Sequence, residues 1–300
     1  MKIGLLFSGQ GAQSVGMAKT LYDNFDAVKA LFKRADEAVG FPLSKYCFEG
    51  PMSELTKTGV CQPALYLHGM AVVEVLREKG ALEEPITALG LSLGELTAHA
   101  FAETFDFETG LRIVAERGRL MQEACEATKG SMASFIGGSV EAVAAYCKEF
   151  DVDISNLNCP GQTVISGEAD KVKAAVEAAQ SRKEFKMVIP LKVAGAYHSR
   201  LMKPAAEKFS DYLKGVEFKS PRITVFTNVT GESISDPQSI KDALVKQVTS
   251  TVRWEDCMRK AAELGTEQFY ECGPGGVLAG LGKRIDKTLK IKSLAELQDF

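Results

Sequence analysis

The stretch Ile86-Thr87-Ala88-Leu89-Gly90-Leu91-Ser92-Leu93-Gly94-Glu95 decides the fold of this chain. A short apolar run, typical of a buried strand, meets a sharp turn and then the start of a helix. At the turn, Ser92 has a glycine two residues to either side, which is the G-x-S-x-G pattern of a nucleophile elbow. So tight a turn leaves the neighbouring positions no room for side chains. The stretch therefore indicates either a nucleophilic serine or a glycine-rich structural turn.

The composition is that of an ordinary globular protein. The chain has 300 residues, of which 45% are hydrophobic and 25% are charged, and this suits one large domain or a domain with an insertion. A net charge of −3 argues against a general nucleic-acid binder. The 7 cysteines are never spaced C-x-x-C, which favours reduced thiols over a disulfide framework or a metal site. The apolar run after Lys2 is too short for a signal peptide, and no run approaches membrane-spanning length, so we expect a cytoplasmic protein without membrane contact.

Strands and helices alternate over most of the chain, which predicts a largely parallel sheet covered on both faces. Besides the elbow strand, the predicted strands of this sheet are Ile3–Phe7, Arg222–Asn228 and Gln268–Glu271. The predicted helices are Tyr22–Val39, Pro63–Lys79, Phe107–Ala127, Ser239–Val248, Arg253–Leu264 and Val277–Ile285. We expect Pro63 at the first position of its helix, where a missing N–H does no harm.

The middle of the chain follows a different order. Its predicted elements are a strand Ser131–Ile136, a helix Ser139–Phe150, two strands Val152–Leu157 and Thr163–Ser166, a helix Glu168–Ser181 and a strand Lys186–Leu191. The order β-α-β-β-α-β is the ferredoxin-like pattern. We therefore predict an α/β fold with two parts. Residues 1–128 and 195–300 form a large α/β-hydrolase-like domain with a mainly parallel sheet, and residues 129–194 form an inserted ferredoxin-like subdomain.

A nucleophilic serine needs a base within hydrogen-bond reach, and the chain has only 3 histidines. His99 follows Ser92 by two helical turns, about 10 Å along the axis, which is too far. His68 falls inside the predicted Pro63 helix, where a core or surface histidine is the simpler interpretation. His198 follows a strand in a loop late in the chain, as the base of an elbow enzyme does. His198 is therefore the candidate base.

Arg117 interrupts an apolar stripe of its predicted helix. Val114, Met121 and Ala124 fall at helical spacing on one face, and Arg117 occupies the missing step. An arginine on a buried face is costly unless an anion meets it. The position indicates an anion-binding residue, a structural ion pair or a snorkelling stem.

Five motifs, in order over the whole chain, resemble those of the malonyl-CoA:acyl-carrier-protein transacylases. They are Gly9-Gln10-Gly11-Ala12-Gln13, Gly90-Leu91-Ser92-Leu93-Gly94-Glu95, Arg117-Gly118-Arg119-Leu120-Met121-Gln122, His198-Ser199-Arg200-Leu201-Met202-Lys203-Pro204 and Cys272-Gly273-Pro274-Gly275. The resemblance implies transfer of a malonyl group from malonyl-CoA to the phosphopantetheine thiol of acyl carrier protein, through a malonyl-serine intermediate. It also implies malonyl-CoA as substrate, acyl carrier protein as partner, no bound cofactor or metal, and a monomer.

The resemblance assigns a role to each matching residue. Ser92 is the nucleophile, His198 its general base and Arg117 the group that grips the malonyl carboxylate. The backbone amides of Gln10 and Leu93 form the oxyanion hole.

Further positions follow from the same resemblance. Gln247 matches a residue whose backbone carbonyl orients the histidine in place of a triad aspartate. The residues expected to line the gorge are Leu91, Met121, Asn158, Gln162 and Tyr197. Leu91 stands where the family usually has histidine, so we expect activity with altered acyl-enzyme stability or selectivity.

Other functions share parts of this pattern. A serine acyl hydrolase or proofreading esterase would need the elbow and the histidine, but not Arg117 on an apolar face. A carrier-protein docking subunit would need none of the three residues. A trans-acting polyketide acyltransferase would share all of them. Because carrier proteins of this type are acidic, we expect a basic rim near the site, for which the candidates are Arg182, Lys183, Lys186, Lys283 and Arg284.

Overall fold

The structure, a computed structural model, describes residues 2–82 and 85–300. Its strands in chain order are β1 (Ile3–Phe7), β2 (Pro85–Gly90), β3 (Gly130–Gly137), β4 (Asp153–Cys159), β5 (Gln162–Glu168), β6 (Phe185–Pro190), β7 (Thr224–Val225), β8 (Gln268–Cys272) and β9 (Ile291–Leu294). Its helices are α1 (Lys19–Asn24), α2 (Asp26–Val39), α3 (Leu43–Glu49), α4 (Met52–Leu55), α5 (Thr58–Glu78), α6 (Leu93–Phe101), α7 (Phe107–Ala127), α8 (Val140–Phe150), α9 (Ala169–Ala179), α10 (Lys203–Lys214), α11 (Pro237–Gln247), α12 (Trp254–Glu263) and α13 (Val277–Ile285).

A five-stranded parallel sheet in the order β7-β2-β1-β8-β9 positions the elbow. All five residues of β1 are buried, as a central strand covered on both faces requires. Phe7, at the end of β1, pairs with Gly90 of β2 and with Cys272 of β8. The carboxyl ends of three adjacent strands therefore lie together, and the loops that follow them meet at one edge of the sheet.

The second sheet is antiparallel, with the order β4-β5-β3-β6. Its helices α8 and α9 pack on it around a separate apolar cluster that includes Phe135, Tyr146 and Phe185. This strand order is the one a ferredoxin-like β-α-β-β-α-β unit produces. The predicted α/β fold with a parallel sheet and an inserted ferredoxin-like unit is confirmed. The division at residues 128/129 and 194/195 stays a prediction.

Helix α5 differs from the prediction at its start. It begins at Thr58, so Pro63 lies inside the helix and not at its first position. The amide of Thr58 donates to Gln122 Oε1 at 3.0 Å, so a side chain from α7 caps the added turn. By length and composition, α5 is also the one helix in residues 2–82 and 85–300 that could cross a membrane, contrary to expectation. Because 83% of its apolar window is buried, it is a helix of the core.

Two other predicted elements differ clearly from the structure, and one strand has no predicted counterpart. The predicted Tyr22–Val39 helix is two helices, because the backbone is extended at Phe25. The predicted Arg222–Asn228 strand pairs with β2 only at Thr224–Val225. Phe226 forms an isolated antiparallel bridge with Ser233, and the backbone N–H of Asn228 donates to the Glu95 carboxylate at 2.8 Å. The edge strand β9 was not predicted.

Candidate active site

The elbow is built on two glycines that lie in close contact with backbone. A Cβ on Gly90 would lie 1.8 Å from the carbonyl carbon of Gly94, and one on Gly94 would lie 2.2 Å from the carbonyl oxygen of Phe7. Neither position can hold a side chain unless the backbone moves. Between them, Ser92 has φ 56° and ψ −107°, a strained conformation for a residue other than glycine. The close approach and the strained turn raise the Ser92 side chain above the sheet.

Asn228 holds this turn from the loop after β7. Its Oδ1 accepts from the N–H of Ser92 at 2.6 Å, and its Nδ2 donates to the carbonyl of Gly90 at 2.9 Å. Both polar atoms of the buried side-chain amide thus bond to elbow backbone, one at the strained residue and one two residues before it. These hydrogen bonds help to hold the turn in its unfavourable conformation.

His198 meets the serine hydroxyl. Its Nε2 lies 2.7 Å from Ser92 Oγ, and its Nδ1 lies 2.8 Å from the backbone carbonyl of Gln247. A carbonyl can only accept, so Nδ1 carries the proton and the neutral ring leaves Nε2 free to accept from the serine. Gln247 is the last residue of α11, so its carbonyl is one of those without a partner inside the helix.

The ring of His198 is neutral at pH 7. Burial lowers its pKa to about 4, and the positive charge of Arg117 adds to the effect, although the bond to the Gln247 carbonyl acts in the opposite direction. The negative end of α11 also favours positive charge on the imidazole when it takes up a proton. The ring is therefore available as a base over the physiological range.

Arg117 reaches the same hydroxyl from α7. The side chain is 1% exposed, and its Nη2 donates to Ser92 Oγ at 3.1 Å and to Gln247 Oε1 at 2.7 Å. Its Nη1 donates to Gln62 Oε1 at 2.7 Å. Burial lowers the pKa of the guanidinium to about 10, so it keeps its charge at pH 7. The site thus holds a buried cation beside the Ser92 hydroxyl.

Glu95 supplies the opposite charge. It is fully buried in the first turn of α6, and its Oε2 accepts from the Asn228 amide at 2.8 Å and from Gln247 Nε2 at 2.7 Å. Burial raises its pKa to about 7, although these hydrogen bonds and the charge of Arg117 lower it. The Gln247 side chain therefore joins cation and carboxylate.

The two residues whose amides are expected to form an oxyanion hole, Gln10 and Leu93, line one cleft together with Ser92. Gln10 follows β1, and Leu93 is the first residue of α6, so its N–H has no partner inside that helix. Among the described residues, neither N–H donates a hydrogen bond. The Gln10 side chain contacts the hydroxyl of Tyr197 at 3.4 Å, and that hydroxyl lies 2.5 Å from Thr58 Oγ1.

A cleft of about 250 Å³ opens onto these groups. Ser92 and His198 lie in its wall, between the two sheets. Its lining includes the five residues expected there, Leu91, Met121, Asn158, Gln162 and Tyr197. Gln162 also accepts from Arg284 Nη1 at 2.5 Å, so one candidate cation of the basic rim lies at the cleft. No group of three or more His, Cys, Asp or Glu side chains in residues 2–82 and 85–300 could hold a metal ion.

The geometry has relatives among known proteins. A model of the acyl transferase domain matches residues 5–295. The chain belongs to the acyl transferase domain family. The malonyl CoA-acyl carrier protein transacylase of Bacillus subtilis is 40% identical over 300 residues, which cover 98% of this acyl transferase and 94% of that protein.

Solved structures agree with this assignment. An acyl carrier protein S-malonyltransferase from Vibrio cholerae has a TM-score of 0.95 at 38% identity, covering 100% of this acyl transferase and 98% of that chain. PlMCAT, a malonyl-transacylase solved in complex with the type II PKS acyl-carrier protein AntF, has the same TM-score at 37% identity, with coverages of 100% and 97%.

Sequence reasoning missed three residues of this acyl transferase site. All three are buried. Gln62 binds Arg117, Glu95 binds Gln247, and Asn228 binds the elbow backbone. None of the three has a clear signal in the sequence, because even a carboxylate such as Glu95 is common in the first turn of a helix.

Proposed function

We propose that this acyl transferase moves a malonyl group from malonyl-CoA to the phosphopantetheine thiol of acyl carrier protein by a ping-pong mechanism. The observation that carries the proposal is the contact of the buried Arg117 guanidinium with the nucleophile, at 3.1 Å from Ser92 Oγ. A carboxylate on the acyl group would accept hydrogen bonds directly from this guanidinium. The names of the relatives, malonyl transacylases throughout, support the same substrate.

In the first half-reaction, Ser92 Oγ forms a bond to the thioester carbonyl carbon while its proton moves to Nε2 of His198. The amides of Gln10 and Leu93 donate to the oxyanion, and each such donor stabilises the transition state by roughly 3–4 kcal/mol. The C–S bond then breaks, and the CoA thiolate takes the proton from His198. The second half-reaction runs the same steps in reverse, with the phosphopantetheine thiol as acceptor.

Arg117 would supply the selectivity. Its planar guanidinium can hold a carboxylate through two parallel charge-assisted hydrogen bonds. An acetyl group would leave the guanidinium without that partner in a buried site, which disfavours acetyl-CoA. Selectivity would therefore arise from the acyl pocket and not from the CoA moiety, which the two substrates share.

Acyl carrier protein would approach the mouth of the cleft. Arg284 contacts Gln162 of the cleft wall, and a cation at this position would attract an acidic partner. The structure of PlMCAT with AntF supports a carrier protein as partner and a polyketide carrier as a second candidate acceptor. We expect a cytoplasmic enzyme that acts as a monomer. Light scattering of the purified protein would check the monomeric state.

The test is transfer from malonyl-CoA to a holo carrier protein, with the apo carrier and water as alternative acceptors. The proposal predicts malonyl transfer to the holo form only, with malonyl-CoA consumed far faster than acetyl-CoA. Rapid CoA release without any thiol acceptor would instead identify a serine acyl hydrolase. Equal rates with fatty-acid and polyketide carriers would leave the reaction as proposed and broaden the acceptor.

A further inference from the structure

Glu95 is a buried carboxylate for which the proposed mechanism has no use. Its Oε2 accepts two hydrogen bonds, from the Asn228 amide and from Gln247 Nε2. Its Oε1 is buried and has no hydrogen-bond partner among the described residues. A carboxylate in such a place is costly unless a cation compensates it.

The compensating cation is Arg117, and the side-chain amide of Gln247 connects it to Glu95. Gln247 Oε1 accepts from Arg117 Nη2 at 2.7 Å, and Gln247 Nε2 donates to Glu95 Oε2 at 2.7 Å. The amide dipole therefore points along the line from cation to anion. Among the described residues, Glu95 is the carboxylate whose charge acts on Arg117. The empty site thus holds one positive and one negative charge.

A malonyl group disturbs this balance. Its carboxylate would bring a second negative charge to the one guanidinium, whose side chain is buried. Two carboxylates that share one cation at short range do not both stay ionised easily. We propose that Glu95 balances the charge of Arg117 in the empty enzyme and takes up a proton when the malonyl carboxylate replaces it, so that malonylation of Ser92 consumes a proton.

The inference rests on the proposed function, and its proton balance is separate from the chemical step. The hydroxyl proton of Ser92 passes through His198 to the departing CoA thiol, which adds no net proton to the solution at pH 6–7, where a thiol with a pKa of about 8.5 stays protonated. The additional proton comes from solvent and ends on Glu95, whose unpartnered Oε1 is free to receive it.

Other titratable groups near Glu95 do not change charge at pH 7. Cys257 faces it from α12, and burial raises the pKa of that thiol far above neutrality. His99 lies one turn further along α6, and burial lowers its pKa to about 3. His198 lies behind Gln247, with its pKa lowered to about 4 chiefly by burial. Arg117 stays protonated throughout.

The experiment mixes the enzyme with one equivalent of malonyl-CoA in weakly buffered solution with a pH indicator and no carrier protein. Intact mass gives the amount of malonyl-enzyme in the same sample. With a Glu95 pKa of about 7 in the empty enzyme, uptake at pH 7 should be about half a proton per adduct. At pH 8 Glu95 should take up about 0.9 proton while the freed CoA thiol releases about a quarter of one, which gives a net uptake of about two-thirds. At pH 6 the uptake should fall to roughly a tenth.

Two variants assign the proton. Glu95→Gln should form the adduct without uptake, because the amide cannot titrate. Glu103→Gln is the matched control, since Glu103 follows the same helix and its side chain is 57% exposed. Glu103→Gln should take up as many protons per adduct as the wild type.

Each outcome decides the matter. If the wild type forms the adduct without proton uptake from pH 6 to 8, the inference about Glu95 is wrong but the proposed malonyl transfer stands. Proton uptake by Glu95→Gln equal to that of the wild type would have the same meaning. Absence of any adduct would overturn the proposed function, and the inference with it. If Glu95→Gln does not fold, the pH dependence of the wild-type uptake still separates a group that titrates near pH 7 from a purely structural carboxylate.

Discussion

Replacing Arg117 with alanine should abolish the preference for malonyl-CoA over acetyl-CoA. The guanidinium lies 3.1 Å from Ser92 Oγ and is almost fully buried, so its bonds to a carboxylate would not be weakened by water. Hydrogen bonds to charged groups contribute roughly 1.5–3 kcal/mol each. Loss of two gives roughly 3–6 kcal/mol, which is a fall of about 10²–10⁴ in kcat/KM for malonyl-CoA.

The assay compares kcat/KM for malonyl-CoA and acetyl-CoA with the same holo carrier protein. Acetyl-CoA has no carboxylate, so its kcat/KM should fall much less than that of malonyl-CoA. Arg119→Ala is the matched control, because Arg119 lies on the exposed face of the same helix and pairs there with Glu116. A variant that has merely lost structure would slow both substrates alike. An unchanged ratio of the two kcat/KM values in active Arg117→Ala would refute the carboxylate-binding role.

Three further predictions concern the elbow and the buried histidines. Gly94→Ala should lower the free energy of unfolding by about 1–3 kcal/mol and abolish acylation, because the new Cβ would lie 2.2 Å from the carbonyl oxygen of Phe7. A variant with unchanged stability and activity would contradict this prediction. Acylation should lose its base only as pH falls towards 4, since that is where buried His198 becomes protonated; a midpoint at 6.5 would count against it. Burial lowers the pKa of His68 from 6.5 to about 4, so the unfolded chain binds a proton at His68 more readily than the folded protein does. The free energy of unfolding therefore falls as the pH drops from 6.5 to 4. Between pH 7 and pH 5, the free energy of unfolding measured with denaturant should fall by about 2 kcal/mol less in His68→Leu than in the wild type. An equal fall in both proteins would contradict this prediction.

The parts of the fold with strong local signals were predicted well. The bounds of Ile3–Phe7, Phe107–Ala127 and Val277–Ile285 agree with the structure. The long central helix also carries its own start signal, because the side chain of Asp106 accepts from the amide of Thr109 at 2.7 Å. The start of α5 depends instead on a cap from Gln122, distant in sequence, which no local pattern reveals.

The site divides in the same way. Ser92 fits the elbow pattern, His198 is the histidine that lies in a loop late in the chain, and Arg117 interrupts an apolar stripe. Each of these signals is local in the sequence. The shell around them comes from elements far apart in the chain. The contact of Gln62 with Arg117 and that of Asn228 with the elbow exist only once the chain has folded.

A malonyl adduct on Ser92 tests the central claim most directly. The enzyme is incubated with malonyl-CoA without acceptor, digested, and mapped by peptide mass before and after addition of holo carrier protein. The account predicts one malonyl group on the peptide that contains Ser92, its removal by the carrier, and no adduct or transfer with Ser92→Ala. An adduct elsewhere, or transfer that survives Ser92→Ala, would contradict it.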